Sequence, residues 1–134
     1  IGADKHLSAI TLTAVHLEVV NRDYWPGYPW PELADTYDSI LPMAYWSLRR
    51  DELRSGSKYI GDNIDLIREL TGDDELPIHP IGGIADAISV ADVEGMLNAL
   101  TQRDAIGGSL YDWSTAAPEL WEALQPLRAL RPTD

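Results

Sequence analysis

The chain has no cysteine, no phenylalanine and only two lysines, Lys5 and Lys58, among its 134 residues. Without cysteine there is no disulfide, no thiolate nucleophile and no Cys-ligated zinc, and the redox compartment is left open. The scarcity of lysine goes with a net charge of −12 and a sequence pI near 4.4. That balance argues against a nucleic-acid footprint or an anionic membrane as partner, and a solvated acidic surface is its plain account. No apolar run approaches the roughly 18–20 residues of a membrane-spanning helix, and no signal-peptide pattern opens the sequence. The three histidines, His6, His16 and His79, lack metal-ligand spacing such as H-E-x-x-H. Neither a metal nor a cofactor is expected.

What is present is a repeated phrase: an apolar strand, then polar and aromatic residues, then an amphipathic helix. It occurs at Leu7–Leu17, Ser39–Trp46, Leu76–Ala85 and Ala105–Trp113. The strand starts are about 32, 37 and 29 residues apart, close to the roughly 31 residues of one unit in a ~250-residue (β/α)8 barrel. The first strand is expected over His6–Leu17, buried on both sides. Asn21–Pro31, with three prolines, a glycine and four aromatics, is a loop. A short helix over Pro31–Tyr37 follows, with Pro31 suited to the first turn. Ser57 is expected to cap a helix through Leu70, whose Ile60, Ile64 and Ile67 form one apolar stripe and which Gly72 stops. Ser89 with Asp92 makes a capping box for a helix buried through Val90, Val93, Leu97 and Leu100. A last helix from Pro118 is expected to bury Leu120, Trp121 and Leu124 and to end at Pro126.

Strand–helix alternation predicts parallel strands, since parallel neighbours need long crossovers. An open doubly wound sheet would satisfy the same pattern. Val15–Asp23 contains no glycine, so the phosphate turn such a sheet carries after its first strand is missing. The predicted fold is therefore α/β, a parallel (βα)4 unit forming the C-terminal half of a TIM barrel. Residues 1–134 read as a single domain or domain fragment; the chain starts with Ile1 rather than Met, so part of the site is expected upstream. A half-barrel exposes two strand edges and its interior face, so self-association is expected unless an N-terminal half covers them.

Barrel chemistry sits at the C-terminal ends of the strands. Those ends carry Tyr45 and Trp46, Tyr111 and Trp113, and the loop rings Tyr24, Trp25, Tyr28 and Trp30. Such rings combine a flat apolar face with a polar handle, which suits the C–H faces and hydroxyls of sugars; the alternative is that they plug the barrel mouth. Glycoside cleavage needs two carboxyl groups, or one with a substrate amide. The strand-end acids are Glu18, Asp86 and Asp112. Partial burial would raise the Asp112 pKa toward an acid–base role, whereas a capping role in the next turn would not. His16 and Glu18 share a strand face that should point at the helices. His79, beside Pro80, is either a hydrogen-bonded core histidine or a ligand contact.

Tyr37-Asp38-Ser39-Ile40-Leu41-Pro42-Met43-Ala44-Tyr45-Trp46 resembles the YD-x-x-x-x-M-x-Y sixth strand of chitinase-like glycoside hydrolases. Gly107-Gly108-Ser109-Leu110-Tyr111-Asp112-Trp113 resembles their eighth. The resemblance implies a saccharide-cleaving barrel, extracellular or at the cell surface. Met43 and Tyr45 would line the scissile subsite, Tyr45 bonding the reacting group, with Tyr111 or Trp113 as the sugar platform. Trp46 stands where that family has Asp, and the ring four residues beyond Gly107 is tyrosine. The family's acidic motif would precede this chain. The candidate set is thus Asp112 and Tyr45 as catalytic groups, with Met43, Trp46, His79, Tyr111 and Trp113 as saccharide contacts. Pro80–Ile84 and Gly107–Tyr111 are also similar to the phosphate sites of barrels in histidine and tryptophan biosynthesis, where glycine amides bind the anion. Neither loop contains Lys or Arg, and close strand packing is the simpler account of these glycines.

Overall fold

A computed structural model of the chain describes residues 4–130; both ends of the expected 1–134 unit lie outside the described residues. Strand β1 (Ser8–Thr11) pairs in parallel with β2 (Ser39–Pro42), and β3 (Ile81–Ile84) with β4 (Ser109–Tyr111). Parallel bridges from Ile40 to Ile78 and from Met43 to Ile81 join the two pairs. The strands therefore lie in chain order, with no reversal of the kind that defines a doubly wound sheet. Among the described residues the strand pairs do not close into a barrel.

The strands are shorter than expected, and proline accounts for much of this. Pro42 ends β2, while Pro77 and Pro80 reduce Leu76–Pro80 to an isolated bridge, because proline donates no ladder hydrogen bond. The first strand stops at Thr11, and Val15–Val20 instead forms a π-helical turn. Side chains of α2 (Gly56–Thr71) tie that turn down. Thr13 Oγ1 lies 2.8 Å from Tyr59 Oη, and Val15 N–H donates to Asn63 Oδ1 at 3.0 Å. Polar groups that a longer strand would have offered a neighbouring strand are thus satisfied by a helix.

Burial differs between the two faces of the sheet. Ala9, Thr11, Ile40, Ala44 and Ile78 are buried beneath the helices, with Ile60, Ile64 and Ile67 of α2 and Val93, Met96 and Leu100 of α3 (Val90–Gln102) fully enclosed. The intervening residues Leu41, Met43, His79 and Ile81 are only partly covered, and Ile10 is 64% exposed. Parallel sheets are normally covered on both faces; here one face is covered and the other is open.

Helix caps follow the sequence with one shift. The Ser89–Asp92 capping box is complete, and Gly72 ends α2 in the left-handed conformation (φ 72°). The cap of α2 is Ser55 rather than Ser57, its side chain accepting from Lys58 N–H at 3.2 Å. Gly56 takes the first helical position, where a Cβ would collide with the Asp92 carbonyl. Helix α1 covers Trp30–Thr36, and α4 (Pro118–Ala123) gives way to a 3-10 turn containing Pro126. Leu120 of α4 is buried as expected. Trp121 is not: it is 39% exposed and lines a groove between α4 and β4.

Candidate functional site

Of the rings expected at the C-terminal strand ends, Tyr45 and Tyr111 meet, whereas Trp25, Tyr28 and the buried Trp30 pack on one another in the loop after β1. Tyr45 follows β2 and Tyr111 ends β4, with β3 between them, yet their ring centroids are 5.7 Å apart. Strands are spaced about 4.8 Å apart, so side chains two strands removed meet only by leaning across the strand between. Burial first, then the neighbouring Tyr111, raises the Tyr45 pKa above the ordinary tyrosine value. Its phenol stays protonated at neutral pH and is able both to donate and to accept a hydrogen bond. Met43 lies two residues before Tyr45 on the same open face, bridged to Ile81.

Trp113 is 77% exposed at the rim and tilts toward Trp121, centroids 6.5 Å apart. Trp46 has the opposite fate and corrects the expectation of a saccharide contact. It is 1% exposed, turned beneath the sheet against the two glycines of β3. A Cβ at Gly82 would lie 2.5 Å from its Cζ3, and one at Gly83 would lie 2.9 Å from its Cε2. The other glycine pair is filled likewise: a Cβ at Gly107 would meet the His79 ring at 2.8 Å and one at Gly108 the Leu100 Cδ1 at 2.6 Å. The space at all four glycines is taken by the protein's own side chains, in keeping with close packing rather than an anion cradle.

Asp112 does not have the raised pKa that an acid–base role requires. Its carboxylate accepts hydrogen bonds from the Ser114 side chain and from the Ser114 and Thr115 N–H groups, capping the Trp113–Thr115 turn. These bonds, that from the Ser114 hydroxyl foremost, hold it below the ordinary carboxylate value. His79 is half-buried on the open face, and burial lowers its pKa. Its ring nitrogens have no hydrogen bond among the described residues, so it is not the bonded core histidine of the plainer expectation.

A second group, around the end of β1, was not anticipated. Arg49, just after the Trp46–Leu48 turn, donates from Nη1 to His16 Nδ1 at 3.3 Å and lies 5.3 Å over the Tyr59 ring. Tyr24 packs edge-on to His16, centroids 5.3 Å apart. Burial and then the Arg49 charge lower the His16 pKa. Glu18 accepts from Trp30 Nε1 at 3.2 Å. Because Val15–Val20 is helical rather than extended, His16 faces the chain after β2 instead of a covering helix. Arg49 was hidden in the run Leu48–Arg54, which reads as a solvated stretch of charge, and nothing in its spacing marks it.

Among the described residues no three His, Asp or Glu side chains converge as for a metal ion, and no helix is long and apolar enough to cross a membrane. No family model, curated protein or solved structure matches the chain.

Proposed function

We propose that the chain is the C-terminal (βα)4 portion of a glycosidase-like TIM barrel that binds an oligo- or polysaccharide at its strand C-terminal ends. The observation that carries this reading is the Tyr45–Tyr111 pair meeting across β3. Rings leaning together over an intervening strand suit the concave side of a curved sheet, where barrel sites lie. Chain-order parallel strands covered on one face only point the same way. Tyr45 bonds the reacting sugar, Met43 and Tyr111 line the cleft, and Trp113 offers its exposed face as a platform, whereas His79, which precedes β3 and packs on Gly107, stands at the other end of that strand. The full-length protein hydrolyses glycosidic bonds, with the principal acid contributed from outside this chain.

A second reading, a sugar-binding barrel half without catalysis, is favoured by the depressed pKa of Asp112. Both readings share the cleft. Glycan-array binding by the chain, by Tyr45→Ala and by Trp113→Ala tests it, alongside a phosphate-ester thermal-shift panel. Saccharide binding lost in both variants supports the cleft; stabilisation by phosphate esters that both variants retain overturns it.

A further inference from the structure

In a chain of net charge −12, Arg49 is a half-buried cation without a carboxylate partner. The ion pairs among the described residues are Lys5–Asp4, Lys58–Asp62 and Arg103–Asp65. Arg22, Arg50, Arg54, Arg68 and Arg128 also have no ion pair, but Arg22, Arg54 and Arg68 donate to backbone carbonyls, and Arg50 and Arg128 are exposed. Arg49 instead donates to a neutral acceptor, His16 Nδ1, and stacks on Tyr59, while its Nε is buried with no hydrogen-bond partner. Partly removing a guanidinium from water without a counter-charge is unfavourable, and the unmatched Nε–H, buried out of a ligand's reach, adds to that cost. Among the described residues no carboxylate lies within ion-pair distance of Arg49, and its Nη2 carries no hydrogen bond, which leaves that nitrogen for a ligand anion.

We infer that Arg49 and His16 form a site for one carboxylate, carried by an acidic sugar unit of the bound saccharide. This rests on the saccharide reading and names its substrate class. Position supports it: His16 follows β1 and Arg49 follows β2, adjacent parallel strands, so both stand at the end of the sheet that carries Tyr45. Since guanidinium only donates, Nδ1 of His16 must accept, which places the imidazole proton on Nε2. The site thus offers one positive charge and one neutral donor. Their sum matches a monoanionic carboxylate, whereas a phosphate dianion would leave excess negative charge in an already acidic chain. Tyr24, edge-on to His16, supplies the ring beside it. Guanidinium is also the side chain best shaped for carboxylate, because its planar fork gives paired N–H donors.

The test is an NMR titration that follows the His16 imidazole, assigned by His16→Gln, with three additions: xylohexaose, xylohexaose substituted with glucuronic acid, and free glucuronic acid. The inference expects a saturable His16 shift with both acids and tighter binding of the substituted oligosaccharide than of the neutral one. Arg49→Gln should weaken the acid-specific part about ten- to a hundredfold while leaving neutral binding unchanged, as expected for loss of a hydrogen bond to a charged group. Arg49→Lys, which keeps charge but not the fork, should fall between and controls for folding. Neutral and acidic oligosaccharides binding alike, with His16 unmoved, would overturn the inference and leave the saccharide cleft standing. A His16 shift with free glucuronic acid and no binding of either oligosaccharide would keep the carboxylate site and remove the saccharide reading. No response to any addition would remove both.

Discussion

Tyr45 and Tyr111 belong to strands that are not neighbours, yet their rings stand 5.7 Å apart across the end of β3. The glycines of β3 assist from below, because Trp46 fills the space under them and holds that strand end in place. A platform of two rings over a glycine-rich strand presents both flat apolar surface and phenol hydroxyls to a ligand.

The hydroxyl and the ring of Tyr45 are separable. Tyr45→Phe removes only a hydrogen bond, an effect of about 0.5–1.5 kcal/mol on saccharide binding. Tyr45→Ala removes the ring as well and adds the loss of its packing against Tyr111, about 0.5–1.5 kcal/mol more. Isothermal titration with any glycan that the array identifies checks the order: wild type, then Phe, then Ala. Equal affinities for all three would exclude Tyr45 from the cleft.

Two tryptophans that read alike in sequence should behave oppositely in stability. Trp46 is enclosed and Trp113 is 77% exposed. Trp46→Ala should cost about 3–5 kcal/mol in urea unfolding, as for other large-to-small core changes. Trp113→Ala should stay within about 0.5 kcal/mol of wild type while reducing saccharide binding. Gly82→Ala should cost about 1–3 kcal/mol, since its methyl has to displace Trp46 or Met96.

Much of the fold was legible because hydrophobic periodicity and cap chemistry are local. The apolar stripe of α2, the Ser89–Asp92 box, the Gly72 stop and the parallel order of four strand-like phrases all appear as read. What was not legible depends on which face a residue meets. Trp46 and Tyr45 are adjacent in the chain beyond the end of β2, and the turn that starts at Trp46 takes one beneath the sheet while the other stays on its open face. β1 is shorter than its Val, Leu and Thr content suggests, because the hydroxyl of Tyr59 and the amide of Asn63, 46 and 48 residues from their partners, make the turn favourable. Arg49 escaped for the same reason: its role depends on His16, 33 residues earlier.

Two histidines tie stability to pH. Burial lowers the pKa of both His16 and His79 from the ordinary 6.5, with Arg49 adding to the effect at His16. A depressed folded value means that below pH 6.5 the unfolded chain binds protons the folded chain still refuses, so stability rises with pH across that window. Full stability should hold above pH 7 and decline as pH falls through 6.5 toward the folded values. His79→Gln should flatten that decline in urea melts taken from pH 7.5 to 5.5. An unchanged slope in the variant would show that His79 does not titrate as its burial requires.

The open face of the sheet carries the last expectation. Ile10 is 64% exposed between the buried Ala9 and Thr11, and Leu41 stands beside it in register. A row of apolar side chains on a parallel sheet attracts cover, and the exposed backbone of its edge strands offers hydrogen bonds to any chain that arrives. If the remaining strands of a barrel normally provide that cover, residues 1–134 alone should associate through this face. Sedimentation velocity should then find species larger than a monomer. Ile10→Glu should return the chain to monomer without loss of helical circular dichroism, because Ile10 is exposed and lies outside the buried core. A monomer in the wild-type chain at tens of micromolar would count against the half-barrel, since the same face that the reading assigns to a barrel interior would then be stable in water.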